Sequence, residues 1–344
     1  MTSLAEQGGW PSILGALNAK QDLSGEQCRS VLGAILAGEA GDAQIAAFIF
    51  GMAMKGETVE ELAGLQAAML DAATPLEVPR DAIDIVGVGG APSRRLHALN
   101  VSTMAAFVAS GAGAVVCKHG NRRASSTSGS FDLLEALGVD VSVDVPTLAR
   151  QVAEIGIGFA FARVFHPAMR HVGPVRAELG VPTVFNILGP LSHPGRLVRQ
   201  VVGVADWSLA HTMAEVLRHT GSVRSLVVNG IGGLDELTTT GPSRMLMLAD
   251  GEITELEVDA SDVGLSKRRA EDLSGGDAEA NAAIARQVLA GADVPAREIV
   301  ALNAGAGLWA AGLCEDLGAG VQAALGAIDD GRAQDKLDSL VAFA

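Results

Sequence analysis

The sequence predicts an α/β protein, with a helical N-terminal domain and a larger α/β domain built on a mainly parallel central sheet. Three observations carry this. Residues 1–75 have helical texture only, with capping-box signatures at Ser24–Gln27 and Thr58–Glu61. From about residue 82 short apolar runs recur ("AIDIVG", "AVVC", "IGFAFA", "QVVGVA", "RSLVVN"), each followed by a loop and then a helical stretch. From Asn281 to Ala344 the chain returns to helix, rich in Ala and Leu.

Taken in order, Leu32, Ile35 and Leu36 follow the first capping box at helical spacing and predict a buried stripe. The run "AQIAAFIFGMAM" is apolar on nearly all sides, which predicts a helix buried between others or set at a subunit contact. That run is too short to span a bilayer. "HPAMRHVGPVRAELG" predicts a helical insert broken at Pro174, and "LADGEI" places Asp250-Gly251 at the tip of a hairpin. The expected boundaries are 1–75 for the helical domain and 80–344 for the α/β domain, with the helical insert around 167–195 packing near the former.

The chain has 344 residues, enough for two cores, and 49% hydrophobic residues mark it as globular. Forty acids against 25 Lys and Arg leave a net charge of −15, which disfavours a nucleic-acid surface. Three Trp, nine Phe and no Tyr leave few rings for base stacking. Cys28, Cys117 and Cys314 are far apart and lack zinc-like spacing, so a reduced, cytoplasmic setting is expected. "MTSLAEQGGWPS" has neither a basic nor an apolar leader segment, so no signal peptide is expected.

One window departs from the acidic background. Between Asp84 and Asp132 lie 47 residues without a carboxylate, where the chain average predicts about five. The same window carries Arg94, Arg95, His97, Lys118, His119, Arg122 and Arg123. Local positive potential in a negative protein suits a small polyanion. Gly87, Gly89 and Gly90 directly follow a predicted strand, and a glycine turn before a helix exposes backbone N–H groups to phosphate. Asn100, Ser102 and Thr103 supply a helix-start signature and hydroxyls. Alone, G-x-G-G marks a turn as readily as a phosphate cradle. Joined to the missing acids and to "RRASSTSGS", it favours a phosphate site.

"GGLDELTTTG" sets Asp235 beside Glu236. Adjacent carboxylates on a loop supply oxygen ligands for Mg²⁺, with waters and substrate phosphates completing the shell. The other reading is a solvated acidic turn. His119 and His166 read either as hydrogen-bonded structural residues or as site residues. Arg176 reads either as a helix-surface cation or as a bidentate carboxylate clamp.

"KHGNR" followed by "SS" and "SGS", then "HPAM", "PVRAELGVPTVFNILGPL" and "GLDEL", occur in this order. Together they make the chain similar, over nearly its whole length, to the anthranilate phosphoribosyltransferase family, of the nucleoside phosphorylase-like transferase fold. The resemblance implies a donor site for phosphoribosyl pyrophosphate at Gly87, Gly90, Asn100, Val101, Ser102, Thr103, Lys118, His119, Gly120, Asn121, Arg122, Arg123, Ala124, Ser125, Ser126 and Ser130. It implies Mg²⁺ at Ser102, Asp235 and Glu236, and anthranilate, or a similar aromatic amine, near Gly87, His119, Asn121, His166 and Arg176. It implies no nucleophile or acid–base residue, a step of tryptophan biosynthesis, and a homodimer joined through the helical domain. Two other readings are a relative acting on a different aromatic amine and a non-catalytic or nucleic-acid-binding protein on the same scaffold. Retained Lys118, Asp235 and Glu236 argue against loss of catalysis, and the net charge argues against nucleic acid.

One segment departs from the family pattern. Where relatives read G-T-G-G-D-G, this chain has "GVGGAPSRRLHALN", with Val88 for Thr, Ala91 and Pro92 for Asp-Gly, and Asn100 three residues late. Phe131 stands where Ala is common. Pro92 restricts Ala91 to extended conformations, and one of Arg94 and Arg95 is expected to fold onto the donor's diphosphate.

Overall fold

The computed structural model describes residues 3–88, 99–122 and 128–343. In chain order it forms α1 (Gly9–Asn18), α2 (Gly25–Leu36), α3 (Asp42–Lys55), α4 (Val59–Asp71), β1 (Asp84–Gly87), α5 (Val101–Gly111), β2 (Val116–Gly120), α6 (Ser130–Leu137), α7 (Val145–Ile155) and β3 (Ile157–Phe161). It continues through α8 (Ala162–Phe165), α9 (Gly173–Leu179), α10 (Phe185–Leu191), β4 (Arg199–Gly203), α11 (Ala210–His219), β5 (Arg224–Gly230), β6 (Ser243–Ala249) and β7 (Glu252–Val258). Helices α12 (Ala278–Leu289), α13 (Ala296–Ala311), α14 (Leu317–Asp329) and α15 (Arg332–Val341) follow. The chain divides into a helical unit of Met1–Pro75, Arg163–Arg196 and Glu215–Thr220, and an α/β unit of Leu76–Ala162, Leu197–Ala214 and Gly221–Ala344.

In the helical unit both predicted capping boxes form. Ser24 Oγ accepts the Gln27 N–H at 3.2 Å, and Gln27 Oε1 accepts the Ser24 N–H at 2.9 Å. Thr58 and Glu61 repeat the exchange ahead of α4, at 3.3 and 2.8 Å. Glu61 is fully buried, so its charge needs partners. It finds them in the Leu23 N–H and in Lys55 Nζ, each at 2.8 Å. Leu32, Ile35 and Leu36 form the expected buried stripe. On α3, Ile45, Phe48, Ile49 and Met52 are buried, whereas Phe50 and Met54 are exposed. Pro174 does not break the insert. A 3₁₀ turn over Pro167–His171 ends at Val172, and Pro174 lies in the first turn of α9. There a missing N–H costs nothing, because no intrahelical acceptor exists for it.

The α/β unit is organised by a five-stranded sheet of order β1-β4-β5-β6-β7. The β1–β4 and β4–β5 pairs are parallel, and β5–β6 and β6–β7 are antiparallel. A parallel β2–β3 pair extends the β1 side through a bridge between Ile83 and Val116. Parallel strands covered on both faces read as continuous apolar runs, which is why they were visible in the sequence. The β6–β7 hairpin turns at Asp250-Gly251, both with positive φ (52° and 81°), the geometry that favours Asp-Gly in tight hairpins.

The helices of this unit pack closely because glycines let backbones approach. Gly305 on α13 faces Gly320 and Val321 on α14, and a Cβ at Gly305 would lie 2.6 Å from the Val321 nitrogen. Gly305→Ala is therefore expected to lower stability by roughly 1–3 kcal/mol through overpacking. Urea denaturation checks this, and an unchanged midpoint would contradict the α13–α14 contact.

Candidate active site

The candidate site of the α/β unit forms at the C-terminal ends of the parallel strands, where open α/β sheets commonly bind ligands. Gly87 ends β1 and Gly203 ends β4, and the two are register partners. A Cβ on Gly87 would collide with Asp235 Oδ2, and one on Gly203 with the Asp235 carbonyl oxygen. The paired glycines thus leave a notch that Asp235 fills. The chain reaches the notch from β5 through Gly232 and Gly233, with φ of 80° and 75°, a left-handed pair that side-chain-bearing residues rarely adopt. Leu237, two residues on, is pinned by Asn303 of α13. Its N–H donates to Asn303 Oδ1 at 3.1 Å, and its carbonyl accepts from Asn303 Nδ2 at 2.8 Å.

Asp235 and Glu236 are only 7% and 5% exposed, which rules out a solvated acidic turn. Lys118, on β2, is also buried, and its ammonium donates to the Ile85 carbonyl at 2.5 Å. Burial holds Lys118 below the usual lysine range, while Asp84, Glu236 and Asp235 pull it back up. Beneath it lies Asp84 on β1, fully buried, which accepts the His119 N–H at 3.2 Å. Burial pushes the Asp84 carboxyl up to about 7, against Lys118 and the backbone N–H groups of His119 and Ile85.

Among the described residues no group of three or more His, Cys, Asp or Glu forms a self-sufficient metal cage. Two adjacent buried carboxylates still fit Mg²⁺, which prefers hard oxygen ligands and usually keeps substrate phosphates and water in its shell. The notch favours this fit, because its glycines bring the Asp235 carboxylate against the strand ends. Ser102, in the first turn of α5, is half-buried.

Asn100 precedes α5 as expected, but its side chain does not cap the helix. It bonds instead to Ser128 and Asn281. Tertiary donors have outcompeted the local cap. Val101 is a core residue, and Thr103 Oγ1 is buried with no hydrogen-bond partner among the described residues. Gly120 admits Ser130, since a Cβ at Gly120 would strike Ser130 Oγ, which itself donates to the Asn121 carbonyl at 3.1 Å. Asn121 is exposed. Arg122 pairs with Glu135 at 2.5 Å and lies 5.8 Å from the centre of the Phe161 ring. Phe131 is buried and stacks on Phe161 with centroids 4.4 Å apart. Gly89, Gly90, Ala91, Pro92, Arg94, Arg95, His97, Arg123, Ala124, Ser125 and Ser126 lie outside the described residues, as does the expected arginine contact with the diphosphate.

His166 and Arg176 belong to the helical unit. Burial holds His166 below the usual histidine range, opposed by a hydrogen bond to the Ser192 backbone. Arg176 sits 5.3 Å above the Phe185 ring and donates to Asn186 Oδ1 at 3.3 Å, an atom that also accepts the Thr183 N–H at 3.2 Å. Stacking plus a hydrogen bond orients the guanidinium plane, as a carboxylate clamp requires. Sequence reasoning missed Asp84, Asn186, Asn281 and Asn303. Asn186 alone had a signal, since it lies within "PVRAELGVPTVFNILGPL".

Two family models match the chain: a glycosyl transferase family a/b domain over residues 79–334 and a glycosyl transferase family helical bundle domain over residues 11–73. An anthranilate phosphoribosyltransferase from Arthrobacter sp. (strain FB24) is 46% identical over 340 residues, covering 97% of this chain and 96% of the relative. The crystal structure of anthranilate phosphoribosyltransferase from Thermus thermophilus matches with a TM-score of 0.91 and 43% identity, over 96% of this chain and 98% of the other. The Saccharomyces cerevisiae enzyme in complex with PRPP and Mg matches with a TM-score of 0.87 and 27% identity, over 96% of each chain.

The raised carboxyl of Asp84 makes stability depend on pH. Between about 4, where an unfolded Asp titrates, and about 7 the folded protein keeps a proton that the unfolded chain releases. The stability contributed by Asp84 is full below that window and is lost as pH rises through it. Asp84→Asn stays neutral throughout, so its stability relative to the parent should increase from pH 4 to pH 7.5. Urea melts at several pH values measure this, and a pH-independent difference would count against the assignment.

Proposed function

Because the chain belongs to the anthranilate phosphoribosyltransferase family, we propose that it transfers the phosphoribosyl group of PRPP to the amine of anthranilate and releases pyrophosphate. The observation that carries this reading is the buried Asp235–Glu236 pair set close to buried Lys118 at the strand ends. Two adjacent buried carboxylates are costly unless a cation joins them, and a lysine among them suits the diphosphate that such a cation would bring.

The sugar's C1–oxygen bond breaks with its electron pair going to pyrophosphate, and the acceptor nitrogen bonds to C1 and then sheds a proton. Mg²⁺, when bound, stabilises the charge that develops on the leaving group. Asp235, Glu236 and Ser102 would hold it, and Lys118 would add a fixed positive charge beside the same oxygens. An aniline nitrogen is unprotonated at neutral pH, so the acceptor needs positioning more than a general base. The donor residues are Gly87, Asn100, Thr103, Lys118 and the segment through Ser130. Within the helical unit, Arg176, held by Asn186 and Phe185, receives the acceptor's carboxylate.

The protein works as a cytoplasmic homodimer in this reading. The exposed Phe50 and Met54 on α3 support a subunit contact through the helical unit. No helix among the described residues is long and apolar enough to cross a membrane.

The direct assay follows the loss of anthranilate fluorescence with PRPP and Mg²⁺. Asp235→Asn combined with Glu236→Gln is expected to lower turnover by roughly 100-fold or more, in line with the several kcal/mol a catalytic metal supplies, with little change in thermal midpoint. A double variant as active as the parent at limiting Mg²⁺ would remove the metal role. Arg176→Ala should weaken acceptor binding by roughly 1.5–3 kcal/mol, raising the anthranilate KM and sparing the PRPP KM. An unmoved anthranilate KM would return Arg176 to the role of a surface cation.

A further inference from the structure

Asn281 lies in the first turns of α12 and is fully buried. Its Oδ1 accepts the Gly276 N–H at 2.8 Å, and its Nδ2 donates to Asn100 Oδ1 at 2.8 Å, across 181 residues of sequence. Asn100 Oδ1 takes a second donor, Ser128 Oγ, at 3.0 Å, and Asn100 Nδ2 donates to the Ser128 carbonyl at 3.2 Å. Asn100 stands at the start of α5, just ahead of Ser102 and Thr103, and Ser128 stands just ahead of α6. The three side chains therefore tie the entries of α5, α6 and α12 together.

The network also fixes which way the Asn100 amide faces. An amide can rotate to exchange its oxygen and nitrogen unless its neighbours distinguish donor from acceptor. Two donors hold the Asn100 oxygen, and an acceptor holds one of its two Nδ2 hydrogens. The hydrogen outside the network is then a donor by necessity, which is what an anionic ligand requires.

We propose that Asn281 is a positioning residue for the donor site: it locks the Asn100 amide so that Asn100 presents an N–H, and not a carbonyl oxygen, to the phosphoribosyl donor. The inference rests on the reading of Asn100 as a donor contact. Asn281 itself touches neither substrate.

The test uses Asn281→Asp, which keeps the shape and the Gly276 contact but cannot donate to Asn100 Oδ1 when ionised. PRPP with Mg²⁺ is titrated calorimetrically into the full-length parent, Asn281→Asp, Asn100→Ala and the double variant. Asn281→Asp should weaken PRPP binding by about 10-fold or more, the scale of one hydrogen bond to a charged group. The anthranilate KM should stay within about 2-fold, a split that general loosening of the fold would not produce. In the double variant, Asn281→Asp should add nothing to the loss caused by Asn100→Ala. Parent-like PRPP affinity in Asn281→Asp, or losses that multiply in the double variant, would overturn the proposal. Should Asn281→Asp not fold, Ser128→Ala removes the other donor onto the same oxygen and should weaken PRPP by about 3-fold or more, with no change counting against the lock. A parent that fails to bind PRPP would refute the proposed function instead. The lock would still be decided by urea melts of the same four proteins, where additive stabilities would overturn it.

Discussion

The notch formed by Gly87 and Gly203 is the constraint on which the rest of the site depends. Parallel pairing of β1 with β4 puts the two glycines side by side at the strand ends. Missing Cβ atoms at both positions let the backbone and carboxylate of Asp235 settle against the sheet. Any side chain at either glycine would lift the Asp235–Glu236 segment away from Lys118. The left-handed pair Gly232-Gly233 serves the same end, because it turns the chain back from β5 toward the notch.

Once the segment is seated, electrostatics decides what it can hold. Asp84, Asp235, Glu236 and Lys118 are all buried, with three carboxyls near one ammonium. Burial of unbalanced charge is costly, and proteins relieve it by neutralising a group or by recruiting a counter-ion. Asp84 takes the first route, its carboxyl pushed up to about 7. Asp235 and Glu236, at the strand ends, are the pair suited to the second. Asp84 is fully buried beside Lys118, whereas Asp235 and Glu236 stand at the strand ends, which suits the outer pair and not Asp84 to a cation.

Much of this was legible in the sequence, and the limits have physical causes. The capping boxes at Ser24 and Thr58 and the hairpin at Asp250-Gly251 were readable because their partners lie within three residues. The strands from β1 to β5 were readable because burial makes each a short apolar run. Gly87 and Lys118, which the fold brings to Asp235, both lie in the acid-free window. Pro174 was misread because a proline that starts a helix and one that ends a helix look alike out of context. Asn281 and Asn303 could not be read at all. Each is a polar residue in an Ala-rich helical stretch, and its partner is 181 or 66 residues away. Spacing reports local geometry and is blind to such contacts. Asp84 was equally silent, because a carboxylate at a strand start looks solvated until the sheet buries it.

The two asparagines point to how this fold holds loop residues steady. A loop has no hydrogen-bond ladder of its own, so its backbone groups need partners from elsewhere. A buried primary amide offers a donor and an acceptor together, which matches the N–H and C=O of a single residue. Asn303 uses both on Leu237, next to the paired carboxylates. Asn281 divides them between Gly276 and Asn100, at the entry of α5. Both come from the C-terminal helices, and the notch comes from β1 and β4, so these supports all arise outside residues 89–98. The floor that carries Lys118, Asp235 and Glu236 therefore has anchors of its own, separate in sequence from the segment that departs from the family pattern.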